Sequence, residues 1–222
     1  MGPTAAGKTG IAMRIAESFP VDVVSVDSAL VYRGMDIGTA KPDAAMLARV
    51  PHRLIDICEP EEPYSAGAFV RDASDAIRSI YDAGRVPLLV GGTMLYFRAL
   101  TQGIANLPEA DPGVRATLEE EAGTRGWPAL HRELAEIDPE AAAKIEPNDS
   151  QRIQRALEVH RLSGKPLSDW QKQTVPPTDF GFLRIGLLPG KRSVLHERIA
   201  MRLAQMREAG FVEEVRGLLD RP

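Results

Sequence analysis

Gly2-Pro3-Thr4-Ala5-Ala6-Gly7-Lys8-Thr9 constrains this chain more than any other stretch, because it fits the pattern G-x-x-x-x-G-K-[ST] in full. Glycines let the backbone curl so that successive N–H groups point at one anion. Lys8 adds a point charge to the same oxygens, and the Thr9 hydroxyl suits Mg²⁺. Ile11 and Ile15 mark an amphipathic helix directly behind the loop, and its positive N-terminal end reinforces the anion site. These residues predict a loop for a diphosphate or triphosphate on an α/β fold. Such a loop ordinarily follows a strand. Only Met1 precedes it, so the first strand of the sheet is expected to lie outside this chain. The loop does not say what is done with the phosphate.

The rest of the chain supplies alternating strands and helices. Val21–Asp27 is a short apolar run that reads as a buried strand. His52–Cys58 reads as a second extended piece. Ser65 caps a helix predicted to run to Ala83, with Phe69, Ala73, Ile77 and Ile80 at helical spacing and Gly84 past its end. Val86–Val90 is another buried strand, followed by Gly91-Gly92-Thr93 and an apolar helix start. Together these predict a parallel sheet covered on both faces.

The texture changes after Pro108. Asp111-Pro112, Trp127-Pro128 and Asp138-Pro139 each mark a helix start. Asn148 or Asp149 opens a fourth helix reaching about Leu162, with Gly164 beyond. A helical insertion over residues 108–177 is therefore expected between two parts of the core, 1–107 and 178–222. In the second part, Phe180–Leu188 reads as a strand and Ser193–Ala209 as a helix ended by Gly210.

Composition narrows the setting. Hydrophobic residues make up 44% of the 222, enough for a packed core. The lone cysteine, Cys58, cannot form an intramolecular disulfide or a zinc cluster, so a reducing cytoplasm is the expected location. No run approaches a membrane span, and no partner membrane is expected. The net charge of −4 argues against a general nucleic-acid binder, but residues 151–222 carry 13 Lys/Arg against 8 Asp/Glu. That basic third suits a polyanion, and an ordinary solvated helical surface gives the same count.

Asp27 ends the first visible strand, at the edge where open α/β sheets bind ligands. Three roles fit it there: Mg²⁺ ligand, general base, or strand-ending cap. The residues that follow narrow the choice. Asp27-Ser28-Ala29-Leu30-Val31-Tyr32-Arg33-Gly34-Met35-Asp36-Ile37-Gly38-Thr39-Ala40-Lys41-Pro42 closely resembles the tRNA dimethylallyltransferase (tRNA isopentenyltransferase) family. So do Pro51–Asp56, Leu88–Tyr96 and Asn148–Glu158, in the same order, so the resemblance covers essentially the whole chain.

The resemblance implies a P-loop NTPase-like α/β core with an inserted all-helical domain and a channel between them. It implies transfer of a dimethylallyl group from dimethylallyl diphosphate to N6 of adenosine-37 in tRNA, with the phosphate loop holding the prenyl diphosphate rather than ATP. Asp27, Thr9 and Arg202 are then the catalytic candidates, with Thr9 as the Mg²⁺ ligand and Mg²⁺ the cofactor. Ser28, Ala29, Leu30, Thr93, Arg115, Gln151, Arg152, Ile153, Gln154 and Arg155, with Asp27, are the implied contacts to the tRNA anticodon stem-loop. Trp127 and Trp170 read as packing, and His52, His131, His160 and His196 lack metal-ligand spacing. The family continues beyond Pro222 with a further tRNA-contacting stretch, expected to lie outside this chain.

Two enzymes compete with this reading. A P-loop small-molecule kinase shares the loop and an aspartate at that edge, and the insertion would supply its lid. An adenylate isopentenyltransferase would prenylate free AMP, ADP or ATP and needs no anticodon-gripping segment, which Gln151–Arg155 resembles. A nucleotide-gated binding module has no need of Asp27. No obligate protein partner is indicated, and a monomer is expected.

Overall fold

The structure, a computed structural model, describes residues 1–174 and 180–221. The chain divides into two compact units, Met1–Thr101 with Pro177–Pro222, and Gln102–Pro176. The expected end of the insertion at Pro177 lies outside the described residues.

The first unit is built on a three-stranded parallel sheet. Its strands are β1 (Val21–Val26), β2 (His52–Arg53) and β3 (Val86–Gly91), in the order β2-β1-β3. All six residues of β1 are buried, as an apolar central strand requires. α1 (Lys8–Ser18) packs Ala12 and Met13 against Val23. α3 (Ala66–Asp82) begins where the Ser65 hydroxyl accepts the Ala68 N–H, and it buries Phe69, Ala73, Ile77 and Ile80. Phe69 stacks on Tyr96 of α4 (Met94–Gln102) with centroids 4.3 Å apart. α2 (Ala44–Arg49) is a short connector capped by Asp43.

The extended piece at His52–Cys58 is shorter than expected. Leu54 and Asp56 take left-handed backbone, at φ 63° and 54°, which breaks the strand after Arg53. Cys58 returns only to a single bridge with Tyr32.

The strand expected over Phe180–Leu188 does not form. Its hydrogen bonds to Met1, from the Met1 amine to Ile185 O (2.8 Å) and from Leu187 N to Met1 O (2.8 Å), bracket one residue and do not extend into a ladder. Leu183 is 90% exposed, so burial on a sheet face does not stabilise an extended run here either. Two helices follow, α10 (Arg192–Glu208) and α11 (Phe211–Leu219). The glycine turn at Gly210 ends the first as expected. The second was not anticipated.

The secondary-structure elements of the second unit are all helices among its described residues. α5 (Pro112–Arg125) is capped by Asp111, α6 (Trp127–Ile137) carries proline in its first turn, and α7 (Pro139–Ala142) is capped by Asp138. α8 (Ser150–Ser163) is capped by Asp149 and ends at Gly164, φ 69°. A short unanticipated helix, α9 (Leu167–Gln171), is tied back by Asp138, whose other oxygen accepts the Ser168 N–H at 2.8 Å. Leu118, Leu130, Leu134, Ile153 and Leu157 form the core, and Trp127 and Trp170 pack against it.

Candidate functional site

The first unit contains a cavity of about 590 Å³, lined by the phosphate loop, the ends of β1 and β3, and one face of α10. Gly7 takes φ 88° and starts α1, a left-handed conformation that costs glycine little. Ala5 also lies at positive φ, 60°, where an L side chain is strained by about 1 kcal/mol. The Lys8 ammonium folds back on the loop, donating to Gly2 O (2.9 Å) and Pro3 O (2.7 Å). Burial holds its pKa below the ordinary lysine value, and Arg202 adds to this while Asp27 opposes it. A bound anion would oppose both lowering effects by stabilising the ammonium.

Thr9 is exposed on the first turn of α1 and lines the cavity. One hydroxyl is a sparse protein ligand set. It fits Mg²⁺, which keeps several waters and takes its other ligands from phosphate oxygens. No group of three or more His, Cys, Asp or Glu among the described residues is placed to hold a metal ion.

Asp27 follows β1 and lines the same cavity, half-buried, with one carboxylate oxygen accepting the Ala29 N–H at 3.0 Å. That local bond is the cap sequence reasoning allowed. The second oxygen has no protein partner among the described residues. Thr93, two residues past β3, lines the same cavity. Its N–H donates to Val26 O (3.2 Å) and its hydroxyl accepts the Ser28 N–H (3.0 Å). Close approach of β3 to β1 depends on Gly91, where a Cβ would lie 1.9 Å from Val26 O. Leu30 and the exposed Ser28 also line the cavity.

Arg202 and Arg198, one turn apart on α10, both line the cavity. The Arg202 guanidinium donates to Thr39 O at 3.1 Å, so the loop after Met35 forms the wall beside it. Glu214 of α11 holds that loop, accepting the N–H groups of Asp36 (2.8 Å), Ile37 (2.6 Å) and Gly38 (2.9 Å). Lys41 pins its far end, with its ammonium donating to Asp36 (2.6 Å), to Tyr32 O (2.8 Å) and to Asp56. Sequence reasoning missed Glu214 and Lys41. Nothing in the local pattern of Glu213-Glu214 signals a contact with a loop so remote in sequence.

The remaining predicted residues belong to the second unit. Glu158 is fully buried there and collects Arg115 Nε (2.8 Å), Arg155 Nη1 (2.6 Å) and the Asp111 N–H (2.9 Å). Arg155 also donates to Pro108 O at 2.7 Å. Arg115 and Arg155 therefore seat the start of α5 on α8, with side chains 42% and 29% exposed. The expected contact at Ile153 needs correction. Its side chain is 0% exposed and lies in the helical core, so it cannot offer a surface contact. Gln151 and Arg152 are exposed, and among the described residues Arg152 is paired only with Asp149, the cap of its helix, at 2.5 Å. Gln154 is half-buried, donating to Glu119 at 3.0 Å.

The family model described as IPP transferase matches residues 30–222. A tRNA dimethylallyltransferase of Alkalilimnicola ehrlichii is 59% identical over 222 residues, spanning all of this chain and 70% of that protein. One from Thiobacillus denitrificans is 58% identical over 215 residues, 97% of this chain and 69% of that protein. Among solved structures, the full-length tRNA isopentenylpyrophosphate transferase of Bacillus halodurans is 42% identical with a TM-score of 0.63, over 99% of this chain and 68% of its own. A eukaryotic dimethylallyltransferase acting on tRNA is 27% identical with a TM-score of 0.80, over 99% of this chain and 54% of its own.

Proposed function

The chain belongs to the IPP transferase family, and on that premise we propose that it is a tRNA dimethylallyltransferase. It moves a dimethylallyl group from dimethylallyl diphosphate to N6 of adenosine-37 in the anticodon stem-loop of tRNA and releases diphosphate. The observation that carries this reading is Asp27, which lines one cavity together with Lys8, Thr9 and Arg202. A carboxylate with a free oxygen thus shares a chamber with a polyphosphate site.

The chemistry follows from that pairing. An exocyclic adenine amine is a weak nucleophile because its lone pair is delocalised into the ring. As N6 bonds to C1 of the prenyl group, the C1–O bond to diphosphate breaks and its electrons leave on the diphosphate. Asp27 accepts the proton that N6 loses. Loop N–H groups, Lys8 and Arg202 stabilise the departing charge. Mg²⁺ on Thr9, when bound, supplies further charge neutralisation at the diphosphate oxygens. No covalent enzyme intermediate is needed.

Adenosine-37 must leave its stack to reach Asp27. Ser28, Ala29, Leu30 and Thr93 in the first unit, and Arg115, Gln151, Arg152, Gln154 and Arg155 in the second, are the groups assigned to gripping the extruded loop. Arg152 suits backbone contact because its guanidinium is exposed. Among the described residues no helix is long and apolar enough to cross a membrane, and a single buried thiol, Cys58, suits the cytoplasm.

An acceptor panel tests the reading. Prenyl-labelled dimethylallyl diphosphate is offered with unmodified tRNA, AMP, ADP or ATP. Label on tRNA alone is the expected outcome. Label on the free nucleotides would make the chain an adenylate isopentenyltransferase instead.

A further inference from the structure

One buried polar group in the cavity is used by nothing described so far. Ser25 is 3% exposed, and its hydroxyl has no hydrogen-bond partner among the described residues. It lines the cavity shared by Lys8 and Thr9. A hydroxyl buried without a partner destabilises the free protein, and unlike Asp22 of the same strand, which pairs with Arg85, Ser25 has none among the described residues, so its presence calls for a ligand atom.

Its position in the strand says which ligand atom. Side chains two apart on a strand share a face, so Val23, Ser25 and Asp27 look the same way. Val23 packs on Ala12 and Met13 of α1. Ser25 therefore faces the α1 side of the cavity, where Lys8 and Thr9 open that helix. It lies about 6–7 Å deeper along the strand than Asp27. A planar base entering at the strand edge meets Asp27 first.

We propose that the Ser25 hydroxyl is a hydrogen-bonding residue of the diphosphate subsite, paired with an oxygen of the bound diphosphate or of a water held by its cation. The proposal rests on the phosphate loop holding a diphosphate. It adds a strand residue to a subsite otherwise made of loop, helix and arginine.

Calorimetric binding of inorganic diphosphate to the wild-type chain and to Ser25→Ala, each with Mg²⁺ and with chelator, tests it. The variant is expected to bind about tenfold more weakly or worse, as loss of a hydrogen bond to a charged group implies. Its ligand-free Tm is expected to equal or exceed that of the wild type, because alanine removes an unpaired hydroxyl. Weakening in both media assigns the bond to a diphosphate oxygen, and weakening with Mg²⁺ alone assigns it to cation-bound water. Equal affinities in both media would overturn the proposal, as would a lowered Tm, which would make Ser25 structural. A wild-type chain that fails to bind diphosphate in either medium would sink the phosphate-loop reading itself.

Discussion

The Thr93 hydroxyl accepts the Ser28 N–H at 3.0 Å, joining the start of α4 to the turn that carries Asp27. The Thr93 N–H adds a bond to Val26 O, so one residue fixes the strand end from two directions. Thr93→Ala keeps the second bond and loses the first. It is expected to lower kcat/KM for prenyl transfer by about five- to tenfold. Thr93→Ser, which retains the hydroxyl, is expected to recover most of it.

Asp27 carries the proton in the mechanism. Asp27→Ala is expected to lower single-turnover transfer by about 10²–10⁴-fold, with tRNA affinity in a filter-binding assay within a few-fold of the wild type. Lost affinity with normal turnover would reassign Asp27 to binding.

Glu214 acts at one remove. It holds three N–H groups of the loop whose Thr39 carbonyl positions Arg202. Glu214→Ala is expected to raise KM for dimethylallyl diphosphate by about tenfold while leaving tRNA binding unchanged. Glu214→Gln keeps an acceptor and is expected to lie between the two.

Glu158 governs the helical unit. Removing Glu158 costs Arg115, Arg155 and the Asp111 N–H a shared acceptor, but both arginines keep solvent contact, so Glu158→Ala is expected to destabilise that unit by about 1–3 kcal/mol in urea unfolding. Burial pushes its pKa up, but hydrogen bonds from Arg115, Arg155 and the Asp111 N–H outweigh that and hold it below the ordinary value of 4.5. A depressed carboxylate stabilises the fold above its unfolded pKa, and that contribution is lost as pH falls through the folded one. Tm is therefore expected to drop on acidification below pH 4.5, and less steeply in Glu158→Gln.

Much of this was legible in the sequence because its causes are local. Ser65, Asp111, Asp138 and Asp149 each cap the helix their side chains announce, and Val21–Val26 is buried throughout. Phe180–Leu188 misled because apolar alternation signals a strand only where a neighbouring strand accepts its hydrogen bonds. The pairing of Arg115 and Arg155 with Glu158 was not legible because the burial of Glu158 depends on how α5 packs against α8, which spacing along one helix does not encode. Ser25 was passed over inside the run VDVVSVD. Its signal was a polar residue two before Asp27, on the same face.

The central claim is that carbon, not phosphorus, is transferred at this phosphate loop. Mass spectrometry of nucleosides from unmodified tRNA, incubated with the chain, dimethylallyl diphosphate, Mg²⁺ and terminally labelled ATP, tests it directly. The account expects N6-dimethylallyladenosine at position 37, with the ATP phosphate untouched. Unmodified tRNA alongside movement of the ATP phosphate to another molecule would contradict it.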